Sequence, residues 1–265
     1  DPLVRLRLGS AGKTRCSLAC ITPLVFGFII PVGVLLKFVL ASSLAAQMSG
    51  IVSTVLNSVV ISAVAAVLVM MVSAVIVLAA TYRAGKYTRA VALIASTGYA
   101  FPGTILAIGV LIYAGYIDHG LRFLSGGMIS SFLIASMGLL LLAYVVRFQA
   151  VGYGAMLSGV RRLPKNLMSA SRVLGHGYVA SLRHVSLPRL KSSFLAGLML
   201  VFVDIMKELP MTLLLRPFDF ETLATYTYQF AKDEMLEEAA LPSLMIVIVG
   251  LVPVLLMNRM LRQSR

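Results

Sequence analysis

Six long apolar blocks interrupt the chain, and no other feature constrains its fold as strongly. They cover residues 17–40, 55–80, 91–116, 128–146, 194–215 and 239–257. Each is close to the length of about 20 residues that a helix needs to cross the hydrocarbon core of a bilayer. Backbone N–H and C=O groups in lipid must be bonded within the segment, which a helix achieves. The pattern therefore predicts an all-α integral membrane protein with six transmembrane helices.

The composition agrees with a single membrane domain. Of the 265 residues, 59% are hydrophobic and 12% are charged, about half the charged fraction of a soluble domain. We expect one six-helix domain over residues 17–261, preceded by a segment 1–16 and followed by a tail 262–265. The chain begins with Asp1 instead of Met, which fits a processed chain or one half of a longer one.

Lysines and arginines are distributed unevenly among the segments that flank the blocks. Eighteen lie at the two termini, between the second and third blocks, and between the fourth and fifth, whereas the other connections hold three. Positive residues are retained preferentially on the cytoplasmic side of a membrane. Both termini and the long connection 147–193 are therefore predicted to be cytoplasmic. The same rule accounts for the net charge of +13, so we expect no nucleic-acid partner.

The segment GSAGKT, residues 9–14, resembles the end of a phosphate-binding loop. The complete motif needs another glycine at the position of Arg7 and a strand before it, whereas here an apolar block follows. We expect no cofactor to be bound by this chain. Any ATP and magnesium would be used by a partner subunit.

The cysteines and histidines do not predict a metal site. Cys16 and Cys20 have no second cysteine pair and are expected to be free thiols. His119 lies in a predicted outer loop, whereas His176 and His184 lie in the long cytoplasmic connection. Solvated or interface histidines are the preferred interpretation.

The long connection contains the basic stretch SASRVLGHGYVASLRHVSLP, residues 169–188. Its composition predicts two short helices at an angle, because Gly175 and Gly177 can form a turn and Pro188 can begin the next element. Two such helices bury little surface alone, so we expect them to dock in a groove on another protein. The alternative is a basic loop that lies on anionic lipid.

The same stretch resembles a motif of permease subunits of ABC importers, which reads Glu-Ala-Ala, three residues, Gly, nine residues, Ile, any residue, Leu-Pro. Serines at 169 and 171 replace the family's Glu and second Ala, while the spacing is complete. The resemblance implies the MetI-like permease architecture with a cytoplasmic coupling helix that docks on an ATPase. The residues that match the motif are Ser169, Ala170, Ser171, Gly175, Val185, Leu187 and Pro188.

The resemblance also implies the partners and the location of the chain. They are two ABC ATPase subunits, a second permease half or subunit, and a periplasmic binding protein, assembled in the inner membrane of a bacterium. The chain would be a non-catalytic transport subunit that works by alternating access, driven by ATP hydrolysis in the ATPases.

Three charged residues, Asp204, Lys207 and Glu208, interrupt the fifth apolar block. Charges within a membrane are costly unless they are paired or face a wet cavity. Helical spacing places Asp204 and Glu208 on one face beside Lys207, which leaves a residual negative charge, and Pro210 kinks or ends the helix. These residues are candidates for lining a cation path, with the two acids as transient ligands. The alternative is an internal ion pair that only fixes helix packing.

The segment from Val201 to Leu244 resembles the permeases of ferric-iron importers, at KELP-x-TLLLRPF-x-F-x-TLAT and at EEAALPSL. This resemblance implies Fe(III), delivered by a periplasmic ferric-binding protein, as the substrate. Carboxylate oxygens suit such a hard cation. Many permeases of this branch are double-length chains, so the present chain would be a C-terminal half.

The predicted outer loop after the fifth block is acidic. It is interpreted as a solvated face or, alternatively, as a platform for a partner or cation. Its acidic residues are Asp219, Glu221, Asp233, Glu234, Glu237 and Glu238.

Other functions remain open from the sequence. One is an ABC permease for another small solute, such as sulfate, thiamine or a polyamine. Another is an ion-coupled secondary transporter, although no clear internal repeat of the kind found in such proteins is present. A scaffold protein is the third.

Overall fold

The computed structural model of the chain describes residues 9–41, 50–82, 85–126, 133–164 and 166–263, with side chains described as far as residue 256 and at 259. Every regular element in these ranges is a helix. The long helices are α1 (Ser10–Ala41), α2 (Ile51–Tyr82), α4 (Gly103–Leu124), α5 (Met137–Arg161), α8 (Leu187–Met206) and α11 (Leu236–Gln263). The short helices are α3 (Lys86–Thr97), α6 (Leu167–Val173), α7 (Tyr178–Ser181), α9 (Pro210–Leu215) and α10 (Leu223–Lys232).

Five helices of the described ranges are long and apolar enough to cross a membrane: α1, α2, α4, α5 and the Leu236–Leu256 part of α11. The predicted all-α membrane fold is confirmed. The fifth predicted block, in contrast, is divided between α8 and α9. The chain leaves the first helix at Lys207, and Pro210, which has no N–H to donate, begins the second.

The third predicted block is likewise divided, between α3 and α4. A 3₁₀ turn at Gly98–Ala100 follows α3, and Phe101 then has the extended backbone (φ −87°, ψ 136°) that a following proline favours. Pro102 is the N-cap of α4. The Phe101-Pro102-Gly103 sequence inside the third block therefore forms a complete helix break.

Helix α5 does not end at Val146 as predicted but continues to Arg161. Its buried face persists beyond Arg147 at the three- and four-residue spacing of a helix, through Phe148, Gln149, Gly152, Met156, Gly159 and Val160. The connection predicted at residues 147–193 is correspondingly too long, because α5 occupies its first part and α8 begins at Leu187. Arg147 thus lies within a long helix and not in a loop.

Helices α2, α5 and α8 pack closely at the centre of the bundle. A Cβ atom added at Gly152 would lie 2.4 Å from Ser73 Oγ, and one at Gly197 would lie 2.7 Å from Met70 Cε. Such glycines let membrane helices approach closely. Gln149 Nε2 also donates a hydrogen bond to Ser73 Oγ at 2.8 Å. Two of these helices border the site described below, because α5 carries Arg147 and α8 ends just before Glu208.

Helix α1 lies at the side of the bundle and contacts α11. The contact is a small apolar cluster that includes Val39, Ile51 and Leu244. Most of α1 exposes apolar side chains, as expected of a helix that faces lipid. The GSAGKT segment forms the start of this helix from Ser10 onward.

Candidate functional site

The two helix breaks meet inside the bundle. Gly103 begins α4 directly beside the break between α8 and α9. A Cβ atom at Gly103 would lie 2.6 Å from Arg147 Nη1 and 2.8 Å from Glu208 Oε1. The missing side chain therefore leaves the space that the two charged groups occupy. We call Gly103, Tyr144, Arg147, Glu208 and Thr212 the break site.

The centre of the break site is a buried ion pair. Arg147 Nε lies 3.4 Å from Glu208 Oε2, and the two side chains are 15% and 8% exposed. Glu208 Oε1 also accepts a hydrogen bond from the backbone N–H of Met211 at 3.3 Å. That N–H belongs to the first turn of α9, where backbone donors have no partner within the helix. The carboxylate thus satisfies both a cation and a free helix end.

Arg147 has additional contacts besides Glu208. Its Nη1 donates to the carbonyl oxygen of Phe101 at 3.3 Å. Its guanidinium carbon lies 5.6 Å from the ring centroid of Tyr99 and 5.7 Å from that of Phe148. Both distances are within the range of a cation–π interaction. The guanidinium is therefore stabilised by groups other than the carboxylate.

A short hydrogen-bond chain attaches the break to α5. Thr212 Oγ1 donates to the carbonyl oxygen of Glu208 at 2.6 Å, so the hydroxyl of Tyr144, at 2.6 Å from the same Oγ1, is the donor to Thr212. Both Tyr144 and Thr212 are fully buried. The polar groups that the break exposes are thereby bonded within the protein, as the apolar surroundings require.

The predicted arrangement of Asp204, Lys207 and Glu208 on one helical face is wrong. Helix α8 ends at Met206, so Glu208 has left the helix that carries Asp204. Lys207 Nζ lies 2.8 Å from Asp204 Oδ1, whereas Glu208 pairs with Arg147. Each acid therefore has its own basic partner, and the expected residual negative charge is absent from this group of four. Their role in a substrate path stays a prediction.

Sequence reasoning missed Arg147 because its charge marked the end of an apolar block. The signal that could have identified Arg147 is the apolar helix face that continues before and after it in the sequence, from Leu139 to Val160. A single charge within such a face indicates an intramembrane residue with a partner elsewhere in the chain. Its partner Glu208 is 61 positions away, so no local pattern indicates the pair.

The second region is an elbow of two short helices, residues 167–188, which we call the elbow segment. Helix α6 ends at Val173, and Gly175, two residues later, has a φ of +87°, which lies in the left-handed region. Gly175 N–H donates to Arg172 O at 3.0 Å and His176 N–H donates to Ser171 O at 3.2 Å. These are the two bonds of a Schellman motif. The predicted pair of short helices with a glycine turn is confirmed.

The matched motif residues are placed throughout the elbow segment. Ser169 and Ala170 are exposed on α6, Ser171 is buried, and Val185 is partly buried in a π-helical turn, Leu182–Ser186, that joins α7 to α8. Leu187 and Pro188 begin α8, and both are exposed. Apolar side chains also point outward at the corner, where Val173, Leu174 and Val179 are 87%, 79% and 73% exposed. The corner is therefore an apolar surface within a basic segment.

Ser171, which replaces the second alanine of the permease motif, has a hydrogen-bond partner. Ser171 Oγ donates to Ser181 Oγ at 2.8 Å, and both residues are buried between α6 and α7. Replacing either serine with alanine is expected to destabilise the elbow segment by about 1 kcal/mol, because the other hydroxyl loses its partner. The double variant should cost less than the sum of the two.

Hydrogen exchange of residues 167–188 in the purified protein measures this effect. Ser169→Ala is the matched control, since Ser169 is an exposed serine on the same helix. If the loss of stability in the double variant equals the sum of the losses in the two single variants, the two hydroxyls are not coupled.

One acidic residue of the outer loop, Glu221, forms contacts that stabilise the loop itself. Glu221 forms an ion pair with Arg216 and accepts hydrogen bonds from Thr225 and Gln229, both at 2.7 Å. Burial would raise the pKa of Glu221, but these three partners together hold it below its usual range. Its backbone carbonyl also accepts from Asn57 of α2. Glu221 is therefore a structural anchor.

The other acidic residues lie in this loop and in the first turn of α11, and most of them are exposed. Asp219, Asp233, Glu234 and Glu237 are exposed, and Glu238 is partly buried. Their exposure agrees with either a solvated face or a platform, as the sequence left open.

The described residues contain no group of three histidine, cysteine or acidic side chains that could hold a metal. His176 and His184 are neighbours in the elbow segment, with ring centroids 6.5 Å apart, whereas His119 lies on α4. Cys16 and Cys20 are exposed thiols on α1. The buried Arg147–Glu208 pair of the break site is thus the chemically distinctive feature of the described bundle.

Comparisons with known proteins identify a family to which these features belong. A model of the family described as "binding-protein-dependent transport system inner membrane component" matches residues 73–264. The match includes the break site and the elbow segment.

A curated relative is the "Fe(3+)-transport system permease protein FbpB 2" of Haemophilus influenzae, which is 24% identical over 161 residues. The alignment covers 61% of this chain but 29% of that protein, so this chain matches less than a third of its relative's length.

Two solved structures share the fold. A bacterial alginate ABC transporter in complex with an alginate pentasaccharide-bound periplasmic protein matches with a TM-score of 0.74 at 15% identity. A bacterial ABC transporter involved in the import of alginate matches with a TM-score of 0.72 at 14% identity. Each alignment covers 95% of this chain and 94% of the other. The predicted permease architecture is confirmed.

Proposed function

Since the chain belongs to the family of inner membrane components of binding-protein-dependent transport systems and is a permease of the ABC importer type, we propose that its substrate is ferric iron. Two carboxylates within the bundle, Asp204 and Glu208, carry the proposal, because oxygen ligands suit Fe(III). The similarity to an Fe(3+)-transport permease supports it.

The proposed partners follow from the surfaces of the chain. The elbow segment faces the cytoplasm, where its exposed apolar corner docks into one of two ATPase subunits. A periplasmic ferric-binding protein delivers the ion on the opposite side, near the acidic loop. A second permease half completes the path, and the chain itself binds no cofactor and hydrolyses no ATP.

Helix α8 connects the docking surface to the break site. It continues from α7 through the π-helical turn and extends from Leu187 to Met206 without a proline beyond its first turn. A helix of 20 residues is about 30 Å long. Movement of the elbow segment when the ATPases close is therefore transmitted along α8 to Met206, two residues before Glu208. This connection supplies the alternating access of the proposed transport cycle.

Uptake measurements test the substrate. Cells that express the complete transporter with its binding protein are expected to accumulate radioactive ferric iron in an ATP-dependent manner. Excess sulfate, thiamine, polyamine or alginate is expected not to compete. Efficient uptake of one of these solutes without iron uptake would overturn the proposal, and uptake that follows an ion gradient in the absence of ATP would overturn the ATP-driven mechanism.

A further inference from the structure

We propose that Arg147 is an internal counter-cation that occupies Glu208 until the substrate cation replaces it. This inference rests on the proposed function, because it requires a cationic substrate. Glu208 would thus alternate between two positive partners during each transport cycle. Arg147 is a positioning residue in this cycle and does not itself bind iron.

The geometry of the ion pair suits exchange. Arg147 Nε lies 3.4 Å from Glu208 Oε2. A strong arginine–carboxylate pair has two parallel hydrogen bonds at about 2.7–2.9 Å. Moreover, Arg147 Nε makes no hydrogen bond in the described part of the chain. The pair therefore has the charge complementarity needed to neutralise Glu208 but lacks the bidentate contacts that would resist replacement.

Arg147 also has a position available without Glu208. The Phe101 carbonyl oxygen and the faces of Tyr99 and Phe148 already contact its guanidinium. These contacts stabilise the cation when the carboxylate turns to another partner. Glu208, in turn, has lone pairs to spare, because Oε1 accepts one hydrogen bond from Met211 and Oε2 faces Arg147.

The exchange explains how a path for Fe(III) can be neutral at rest. Arg147 neutralises Glu208 and Lys207 neutralises Asp204, so a stray cation meets no unpaired carboxylate in this group of four. A highly charged ion that is released directly into the path displaces the weakly bonded guanidinium by its stronger field. The neutral resting state therefore limits leakage of weaker cations.

A charge reversal separates exchange from a purely structural ion pair. In the double variant Arg147→Glu with Glu208→Arg, the pair is restored but the carboxylate is moved from the break to α5. We expect the double variant to assemble in larger amount than either single reversal, while ferric-iron uptake stays below wild type by about tenfold or more. Restoration of uptake together with assembly would overturn the exchange.

A milder variant keeps the inference testable if the reversed pair does not assemble. Tyr99→Leu removes one ring from the second position of Arg147 and leaves both charges, and Tyr99 is 48% exposed, so the fold should tolerate it. We expect uptake to fall about two- to fivefold, since the displaced guanidinium loses a cation–π contact. Tyr116→Leu, at a 73% exposed tyrosine of α4, is the matched control and should match wild type.

The two proposals fail in distinguishable ways. Wild-type transporter that carries no ferric iron overturns the proposed function and the exchange together. Wild-type transporter that carries ferric iron, with Tyr99→Leu as active as Tyr116→Leu, overturns the exchange alone.

Discussion

Glu208→Gln is expected to abolish ferric-iron uptake and to lower the stability of the protein by about 1–3 kcal/mol, because Arg147 loses its opposite charge but keeps its contacts with Phe101, Tyr99 and Phe148. Glutamine keeps the size of the side chain but not its charge, so Arg147 is left as an uncompensated cation with a side chain that is 15% exposed. The N–H of Met211 keeps an acceptor, which confines the change to the ion pair. Thermal unfolding of the purified protein and uptake in cells measure the two effects.

Asp204→Asn is the matched control for the stability measurement. Asp204 pairs with Lys207, whose side chain is 60% exposed and can turn to water. The loss of such a partly exposed pair costs at most about 1 kcal/mol. The double variant Asp204→Asn with Glu208→Gln should therefore resemble Glu208→Gln alone. Full transport by the double variant would remove both acids from the substrate path and leave them a packing role.

Gly175→Val is expected to reduce uptake by about tenfold while ATP hydrolysis continues and the helices stay inserted in the membrane. A Cβ atom at Gly175 would meet nothing within 4 Å, so no clash contributes. The effect arises from the backbone, because φ of +87° costs a side chain with a Cβ atom about 1–2 kcal/mol. The Schellman turn then rearranges, and the docking corner moves relative to α8.

The neighbouring glycine provides the control for the elbow variant. Gly177 has φ of −64°, which any residue adopts, and an added Cβ atom also meets nothing within 4 Å. Gly177→Ala should therefore retain coupled uptake, and Gly175→Asn should be intermediate because asparagine tolerates the left-handed region. Parallel assays of uptake and ATP hydrolysis in membrane vesicles measure coupling. Wild-type coupling in Gly175→Val would remove the elbow segment from the docking role.

The coupling motif could be found from the sequence because its geometry is local. The turn at Gly175 caps α6 through a bond from Gly175 N–H to Arg172 O and one from His176 N–H to Ser171 O, partners at most five residues apart. The spacing to Leu187-Pro188 then fixes where α8 begins. The burial of Ser171 against Ser181 could not be foreseen, because it depends on the angle at which α6 and α7 pack.

The break site shows the opposite case. The pairing of Asp204 with Lys207 follows from helical spacing and was within reach of the sequence. Pro210 was correctly expected to disturb the helix, but the partner of Glu208 was not identified. Arg147, Gly103 and Tyr144 belong to other helices, so their approach depends on how those helices cross.

The sequence by itself determined that the chain is a helical membrane protein, because the transfer of a segment into lipid depends on the residues of that segment. It also determined the elbow between two apolar blocks, because the conformation of a glycine turn is likewise local. Only the tertiary structure decided which charges neutralise one another and that two helix breaks meet at Gly103. A buried charge is stabilised by whichever opposite charge the packing brings within a few ångströms, and that neighbour is 61 positions away from Glu208.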